Sequence, residues 1–516
     1  MTSRYLLSRL FVITILLHLN QQSAINSEKF LDLTVREPAG SCPVRYVPEP
    51  LDPLPASMEN ALKEFENALN LQINKTSRPA VSASVVYRGR EIWAGGLGVK
   101  SKEHGGHPLS STVYRIGSVS KVFVVIMVYQ MLEKGYIASL DDELHKYIPE
   151  FDINNPFGTK SITLRQMMSQ LSGLPREAPC LYGSIKTCHG TTNEDIYARL
   201  KQQSLILPPW TRPSYSNLAF ALLGNGLVNL LPNMTYEDYV LTMILEPLGM
   251  TMTGFNYTKS VIDEMAVGYD LNGSVAPLTD LGWLGPAGQM YSTVNDLAKL
   301  GSFLMSSYDY KSRSSSVLQK ETIREMLLPL FLNPDGLTQF GTPWEMRLMH
   351  NYLVRRKGGN VPGYSALFSF IPELQLGVNI LWSGAIDENN ASVVVYDILI
   401  PALTNALSSV QPKPGYPSKP ANYEGTYKAD IGASVAEILS INDTLVLTVS
   451  GISVFMEYVN ATMCVLFIPS DLLPCMESEL FGITGDYVYF QLDKSSVAQN
   501  FTIPGYIWGA TFIRTS

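Results

Sequence analysis

The stretch RIGSVSKVF, Arg115 to Phe123, sets Ser118 and Lys121 three residues apart, directly before the apolar run VFVVIMVYQML. At the start of a helix, that spacing puts both side chains on one face, a turn apart. A serine hydroxyl is a weak nucleophile at neutral pH and needs a base beside it. A lysine shielded by Val122, Phe123 and Val124 loses its charge more readily than one in water. The positive end of the helix dipole also lies at Ser118, favouring a developing oxyanion by roughly 0.3–1 kcal/mol. The plain alternative is a serine that caps a core helix and a lysine that reaches solvent. Alone, Ser-X-X-Lys arises by chance about once or twice in a chain this long, so other segments must decide.

Two others bear on it. In RPSYSNLAFALLG, Tyr215, Ser216 and Asn217 stand just before another apolar helix. A tyrosine there can shuttle a proton while Asn217 donates an amide hydrogen bond. In RRKGGNVPGYSALFSF, Lys357 and two glycines lead into a β-strand. Gly359 lets a substrate backbone come close to the strand edge beside a fixed positive charge. Each cluster is common by itself. In the order Ser-X-X-Lys, Tyr-X-Asn, Lys-Gly-Gly, they resemble the serine β-lactamase and penicillin-binding protein family, above all the class C enzymes and their β-lactamase-like relatives. The stretches LRQMMSQLSGLP, YSNLAFALLGNGLV, ILEPLGMTMTGF, GPAGQMYSTVNDLAKL and GNVPGYSALFSFIPELQLGV are similar to that family in the same order, so the resemblance runs from Ala80 to Ala406.

The resemblance implies an antiparallel sheet with flanking helices and a helical subdomain, with the active site in the cleft between them. It implies that Ser118 is acylated, that Lys121 and Tyr215 share the acid and base work, and that Asn217 and Lys357 orient substrate and charge. The backbone N–H groups of Ser118 and of Asn360, on an edge strand, would form the oxyanion hole. This chain departs from the family at Gly358, where a hydroxyl residue often helps hold a substrate carboxylate, so efficient antibiotic hydrolysis is not expected. Relatives often carry histidine where Gln170 stands, a position read as structural. Arg355 and Arg356 are open to two readings, carboxylate recognition or a solvated basic turn.

Composition is that of a globular protein. The 516 residues suggest two or three folding units, and 46% hydrophobic against 16% charged residues indicates a large core. With a formal net charge of −8 and no basic run longer than Arg355–Lys357, nucleic acid is excluded as a partner. The six histidines are scattered and no Cys-X-X-Cys or His-X-X-X-His spacing occurs, so no metal and no cofactor is expected. The absence of a Gly-X-Ser-X-Gly elbow argues against an α/β-hydrolase.

Residues 1–24 read as a signal peptide, with Arg4 and Arg9 ahead of an apolar Leu10–Leu19 and small or polar residues near Ser23 and Ala24. The apolar core is shorter than the roughly 20 residues of a spanning helix, which places a retained type II anchor second to secretion. No later segment is read as a span. Eight Asn-X-Ser/Thr sequons, at Asn74, Asn233, Asn256, Asn272, Asn390, Asn442, Asn460 and Asn500, fit a secreted glycoprotein. There the five cysteines can pair, by proximity Cys180 with Cys188 and Cys464 with Cys475, leaving Cys42 over.

Patterning predicts an α+β fold. A proline-studded strap and a first helix occupy 25–79, an antiparallel hairpin turns at Arg88–Arg90, and a long helix runs from Ser118 to Lys134 with Gly135 at its end. Helices and loops fill 137–304, and two strands meet near Pro372 and Glu373 before a last helix. The hydrolase domain is thus 80–407, a Pro-rich linker spans 408–420, and an all-β module with several hairpins takes 421–516. The function expected is a secreted serine hydrolase acting through an acyl-enzyme on an amide, peptide or ester; the competing reading is a catalytically silent binding or scaffold protein with the same fold. Partners are then a small-molecule or peptide substrate, with no oligomeric state implied.

Overall fold

The computed structural model describes residues 45–516 apart from 77–78, 159–160, 181–187, 189, 271, 310–314, 385–387, 412–414, 450, 468–485 and 506–509. The segment 1–24 read as a signal peptide, the start of the strap, Cys42 and Cys475 lie outside the described residues.

The chain forms two compact units, one of them Tyr46–Gln411. This unit opens with helix α1, Ala56–Thr76. The hairpin follows as strands β1, Ala80–Tyr87, and β2, Arg90–Gly98. Arg88 and Gly89 both take positive φ, the geometry of a two-residue hairpin turn whose twist matches the strands. Strand β3, Tyr114–Arg115, leads to a 3-10 turn, Gly117–Ser120, and helix α2, Lys121–Glu133. The expected single helix is therefore tighter in its first turn, because Gly117 enters it at positive φ. At the other end Gly135 is left-handed, with Gly135 N–H donating to Leu132 and Tyr136 N–H to Met131, a Schellman termination.

Helix α3, Asn217–Leu227, strand β4, Tyr291–Ser292, and helix α4, Val294–Met305, belong to the helical middle. Strands β5 to β10 come next: Phe331–Leu332, Thr338–Phe340, Glu345–Met349, Tyr352–Val361, Tyr364–Ile371 and Leu376–Ser383. Helix α5, Glu388–Val410, ends the unit. The eight-stranded antiparallel sheet has the order β2-β1-β10-β9-β8-β7-β6-β5, so the hairpin at its start is completed by strands some three hundred residues on, with Val81 opposite Trp382.

Period-two alternation divides the sheet's side chains between two cores. Val81, Val85, Val378 and Ile380 join Phe65 of α1 and Tyr396 and Leu399 of α5 on one face. Phe368, Phe370 and Leu381 join α2, α3 and α4 on the other. Covered on both faces, β1, β9 and β10 are buried along their whole length. The segment Asn390–Val410 is long and apolar enough to cross a membrane, contrary to the sequence reading. It supplies Val395, Tyr396, Leu399, Leu403 and Leu407 to the core as the apolar stripe that packs on the sheet.

The second unit carries a closed antiparallel barrel of eight strands: β11, Gly425–Ala429; β12, Val435–Ile441; β13, Thr444–Val449; β14, Ile452–Asn460; β15, Met463–Phe467; β16, Tyr487–Leu492; β17, Ala498–Thr502; and β18, Thr511–Arg514. Pairing of Lys428 with Ile513 closes it, which removes the exposed edges of an open sheet. Tyr427, Phe490, Phe501 and Phe512 fill its interior. Cys464 also points inward, as a buried free thiol, so the pairing expected with Cys475 is not made.

Candidate active site

Ser118 stands in the first turn of the 3-10 segment, where backbone donors have no partner within the helix. Ser118 is not the N-cap of that segment, a position held by Ile116. Its Oγ instead accepts a hydrogen bond from Lys121 Nζ at 2.9 Å. Lys121 is fully buried, and its ammonium also donates to Asn217 Oδ1 at 2.7 Å and to the Ala287 carbonyl at 2.7 Å. Three donors meet three acceptors, the condition under which a buried ammonium is tolerated. Burial nevertheless pulls its pKa down to about 8, with Lys357 adding to the fall and Tyr215 opposing it.

Tyr215 is placed by its neighbours. Ser216 is the N-cap of α3, accepting from Ala219 N–H at 3.1 Å and donating to the Pro175 carbonyl at 2.7 Å. Gln170, held at positive φ, accepts Ser216 N–H on its side-chain oxygen at 2.7 Å and Ser214 N–H on its backbone oxygen at 2.8 Å. It thus grips the residues on either side of Tyr215. The Tyr215 ring has Lys121 Nζ 5.0 Å from its centroid, Lys357 Nζ 5.2 Å and the Arg176 guanidinium 4.9 Å away. Burial alone would raise its phenol, but the ammonium groups of Lys121 and then Lys357 outweigh that and hold it below the ordinary tyrosine range. A hydrogen bond from Ser118 favours the phenolate further.

Lys357, Gly358, Gly359 and Asn360 lie on β8. That strand is interior to the sheet, not the expected edge. Its pairing with β7 stops at Glu345 opposite Arg356, however, while pairing with β9 continues to Val361, so the half that bears Lys357–Val361 has one open side. Gly359 serves a contact different from the one anticipated. A Cβ there would stand 2.0 Å from the Ile116 carbonyl oxygen and 2.9 Å from Ser118 N, so the strand is pressed on the turn that carries Ser118. Asn360 is exposed, its Oδ1 accepting from Ser365 Oγ at 2.6 Å.

A cavity of about 460 Å³ opens on this cluster and is lined by Ser118, Tyr215, Lys357, Asn360, Arg176 and Glu345 among others. Ser118, Tyr215, Lys357 and Asn360 therefore converge here, with Lys121 and Asn217 hydrogen-bonded behind Ser118, while Gly359 packs against the Ser118 turn instead of lining the cavity. Sequence reasoning missed Glu345, which accepts from Lys357 Nζ at 2.6 Å. Burial would lower the Lys357 pKa, but the Glu345 carboxylate and Tyr215 raise it above the usual lysine range. Glu177, which accepts from Asn217 Nδ2 at 3.1 Å, and the carbonyl of Ala287 were also missed. Nothing in the local pattern of WEMRLM or LPREAP marks those carboxylates, because their roles arise from contacts across the fold.

Arg355 and Arg356 are buried strand residues, which overturns the solvated-turn reading. Arg355 ion-pairs with Glu373 at 2.6 Å, and Arg356 lines the cavity while its Nε donates to the Glu345 carbonyl at 3.3 Å. The disulfide Cys180–Cys188 is formed. Among the described residues no group of three or more His, Cys, Asp or Glu is disposed to hold a metal ion.

Fold and cluster together are those of the β-lactamase and penicillin-binding protein fold, with a serine and a lysine one helical turn apart. The family description Beta-lactamase matches residues 58–397. The human beta-lactamase-like 1 protein is 38% identical over 397 residues, covering 75% of this chain and 77% of its own length. Among solved structures, the octameric penicillin-binding protein homologue from Pyrococcus abyssi superposes with a TM-score of 0.56 at 21% identity, over 87% of this chain and 99% of that one. A class C beta lactamase from Rhodobacter sphaeroides gives a TM-score of 0.57 at 21% identity, over 67% and 99%. The chain belongs to the beta-lactamase family.

Proposed function

We propose that the chain is a secreted serine hydrolase that forms an acyl-enzyme on Ser118 with an amide, peptide or ester substrate. The observation that carries this is the contact of the buried, pKa-lowered Lys121 with Ser118, beside a tyrosine whose phenol is drawn toward ionisation. In the first step Ser118 Oγ attacks the substrate carbonyl carbon, and its proton passes to the pair formed by Lys121 and Tyr215. The oxyanion is received by Ser118 N–H and Asn360 N–H. As the tetrahedral species collapses, the bond to the leaving group breaks, and the proton returns to the departing nitrogen or oxygen. Water then attacks the acyl ester, gives its proton to the same pair and releases the acid with Ser118 regenerated. Asn217 and Lys357 orient substrate and charge around these steps.

Secretion draws support from the sequons: Asn233, Asn256, Asn272, Asn390, Asn442 and Asn460 are all exposed, as glycan addition requires. Recovery of a glycosylated protein in culture medium, beginning after Ala24, supports it; retention in the membrane fraction with an intact amino terminus favours the type II anchor instead.

A second reading, a silent binding protein that keeps the cleft, draws on Glu345, which occupies the Lys357 ammonium, and on Gly358, which brings no hydroxyl to the cavity. Mass spectrometry after exposure to a fluorophosphonate and, separately, a reactive β-lactam decides between them. A single adduct on Ser118, lost in Ser118→Ala, supports the hydrolase; a folded protein untouched by both reagents supports the silent reading.

A further inference from the structure

The segment from Arg176 to Cys180 lies against the start of α3. The Arg176 carbonyl accepts from Asn217 N–H at 2.8 Å and from Leu218 N–H at 3.1 Å. The Glu177 carbonyl accepts from Cys180 N–H at 2.8 Å, and Cys180 is fastened to Cys188. From this tethered backbone the Glu177 carboxylate reaches Asn217 Nδ2 at 3.1 Å, and the other end of the same amide meets Lys121 Nζ at 2.7 Å. An ionised carboxylate only accepts and an ammonium only donates. The amide wedged between them therefore has one orientation that satisfies both neighbours, with nitrogen toward Glu177 and oxygen toward Lys121.

We infer that Glu177 is a positioning residue: it locks the Asn217 amide and, through it, holds the Lys121 ammonium in place beneath Ser118. This rests on the hydrolase reading for its catalytic consequence, but the locking itself is a property of the folded chain. Glu177 reaches the site through Asn217, its side chain is mostly buried, and among the described residues it also pairs with the neighbouring Arg176 at 3.6 Å. Without a fixed acceptor at Asn217, Lys121 loses one of three partners that favour its charged form. The other charged groups facing Lys121 are Tyr215 from the loop before α3, Lys357 from β8 and Glu345 from β7, and all remain in a Glu177 variant.

The test uses the full-length protein with selectively labelled lysine side chains. NMR titration follows Lys121 in wild type, Glu177→Leu and Glu177→Gln, and the rate of fluorophosphonate labelling at Ser118 is measured across pH. Glu177→Leu is expected to titrate Lys121 at lower pH than wild type, to shift the acid limb of the labelling profile the same way, and to label roughly 10- to 100-fold more slowly. Glu177→Gln keeps an accepting carbonyl and is expected to recover most of both effects. Lys121 titrating at the same pH in wild type and Glu177→Leu overturns the inference. If the Leu variant shifts Lys121 while even wild type forms no Ser118 adduct, the positioning holds and the hydrolase reading fails.

Discussion

Gly359 of β8 lies against Ile116 so closely that a methyl group on its α-carbon would stand 2.0 Å from the Ile116 carbonyl oxygen. The reciprocal contact is at Gly117, whose Cβ would come 2.9 Å from Asn360 N. Two glycines thus let the turn bearing Ser118 and the strand bearing Asn360 meet backbone to backbone. Gly359→Ala must force them apart, at about 1–3 kcal/mol of stability for the overpacking. It is expected to lower the melting temperature and to cut acylation more than the loss of folded protein explains, measured as labelling rate per folded molecule.

Lys121→Arg keeps the charge but removes any capacity to lose a proton. Labelling of Ser118 is expected to fall by about a hundredfold or more, the usual size of a general-base contribution. In the wild type the rate should rise with pH through about 8, since the neutral amine is the form that takes the serine proton and burial has brought its pKa there. A wild-type profile with no such rise removes Lys121 from the base role.

Tyr215→Phe retains the ring between the cations and loses the phenol. Acylation or deacylation is expected to slow by roughly a hundredfold. Pre-steady-state kinetics on an ester substrate separates the two steps, and unchanged rates in both would assign the proton transfers to Lys121 alone.

Glu345→Gln tests the carboxylate that sequence reasoning passed over. Glu345 raises the pKa of both Lys121 and Tyr215, so its neutralisation lowers both. Whichever of the two is the base, the acid limb of the labelling profile is expected to move to lower pH, a sign that does not depend on that assignment. A limb that moves upward contradicts the electrostatic account of the site.

Removing the Cys180–Cys188 tether with Cys180→Ser and Cys188→Ser frees an eight-residue separation next to Glu177. The expected loss is about 2–3 kcal/mol, read from denaturant unfolding, together with a slower labelling rate if the tether steadies the Asn217 contact.

Much of the fold was legible because local rules suffice for it. Short β-prone runs predicted β1, β9 and β10, and Gly89 marked the hairpin turn. The end of α2 followed from Gly135, and the strand-rich tail from its repeated alternating runs. Where two environments impose the same pattern, local rules fail. Asn390–Val410 passes for a membrane span by length and composition, yet it is one face of this helix, with Tyr396, Leu399 and Leu403, that packs on the sheet. Proximity likewise paired Cys180 with Cys188 correctly but misjudged Cys464, whose direction is set by the barrel's inward alternation.

The sequence by itself determined a serine and a lysine on one helical turn, the tyrosine and asparagine at the head of a second helix, and the glycine pair on a late strand. Those are short-range relationships, fixed by the 3.6-residue helix and the two-residue strand. Only the tertiary structure decided that Lys121 completes its hydrogen bonding on Ala287, that Glu345 neutralises Lys357, and that Glu177 turns the Asn217 amide. These partners come from elements up to 166 residues away in sequence, and no local pattern encodes which buried cation will need which acceptor. Burial creates that need, and burial is a property of the assembled fold.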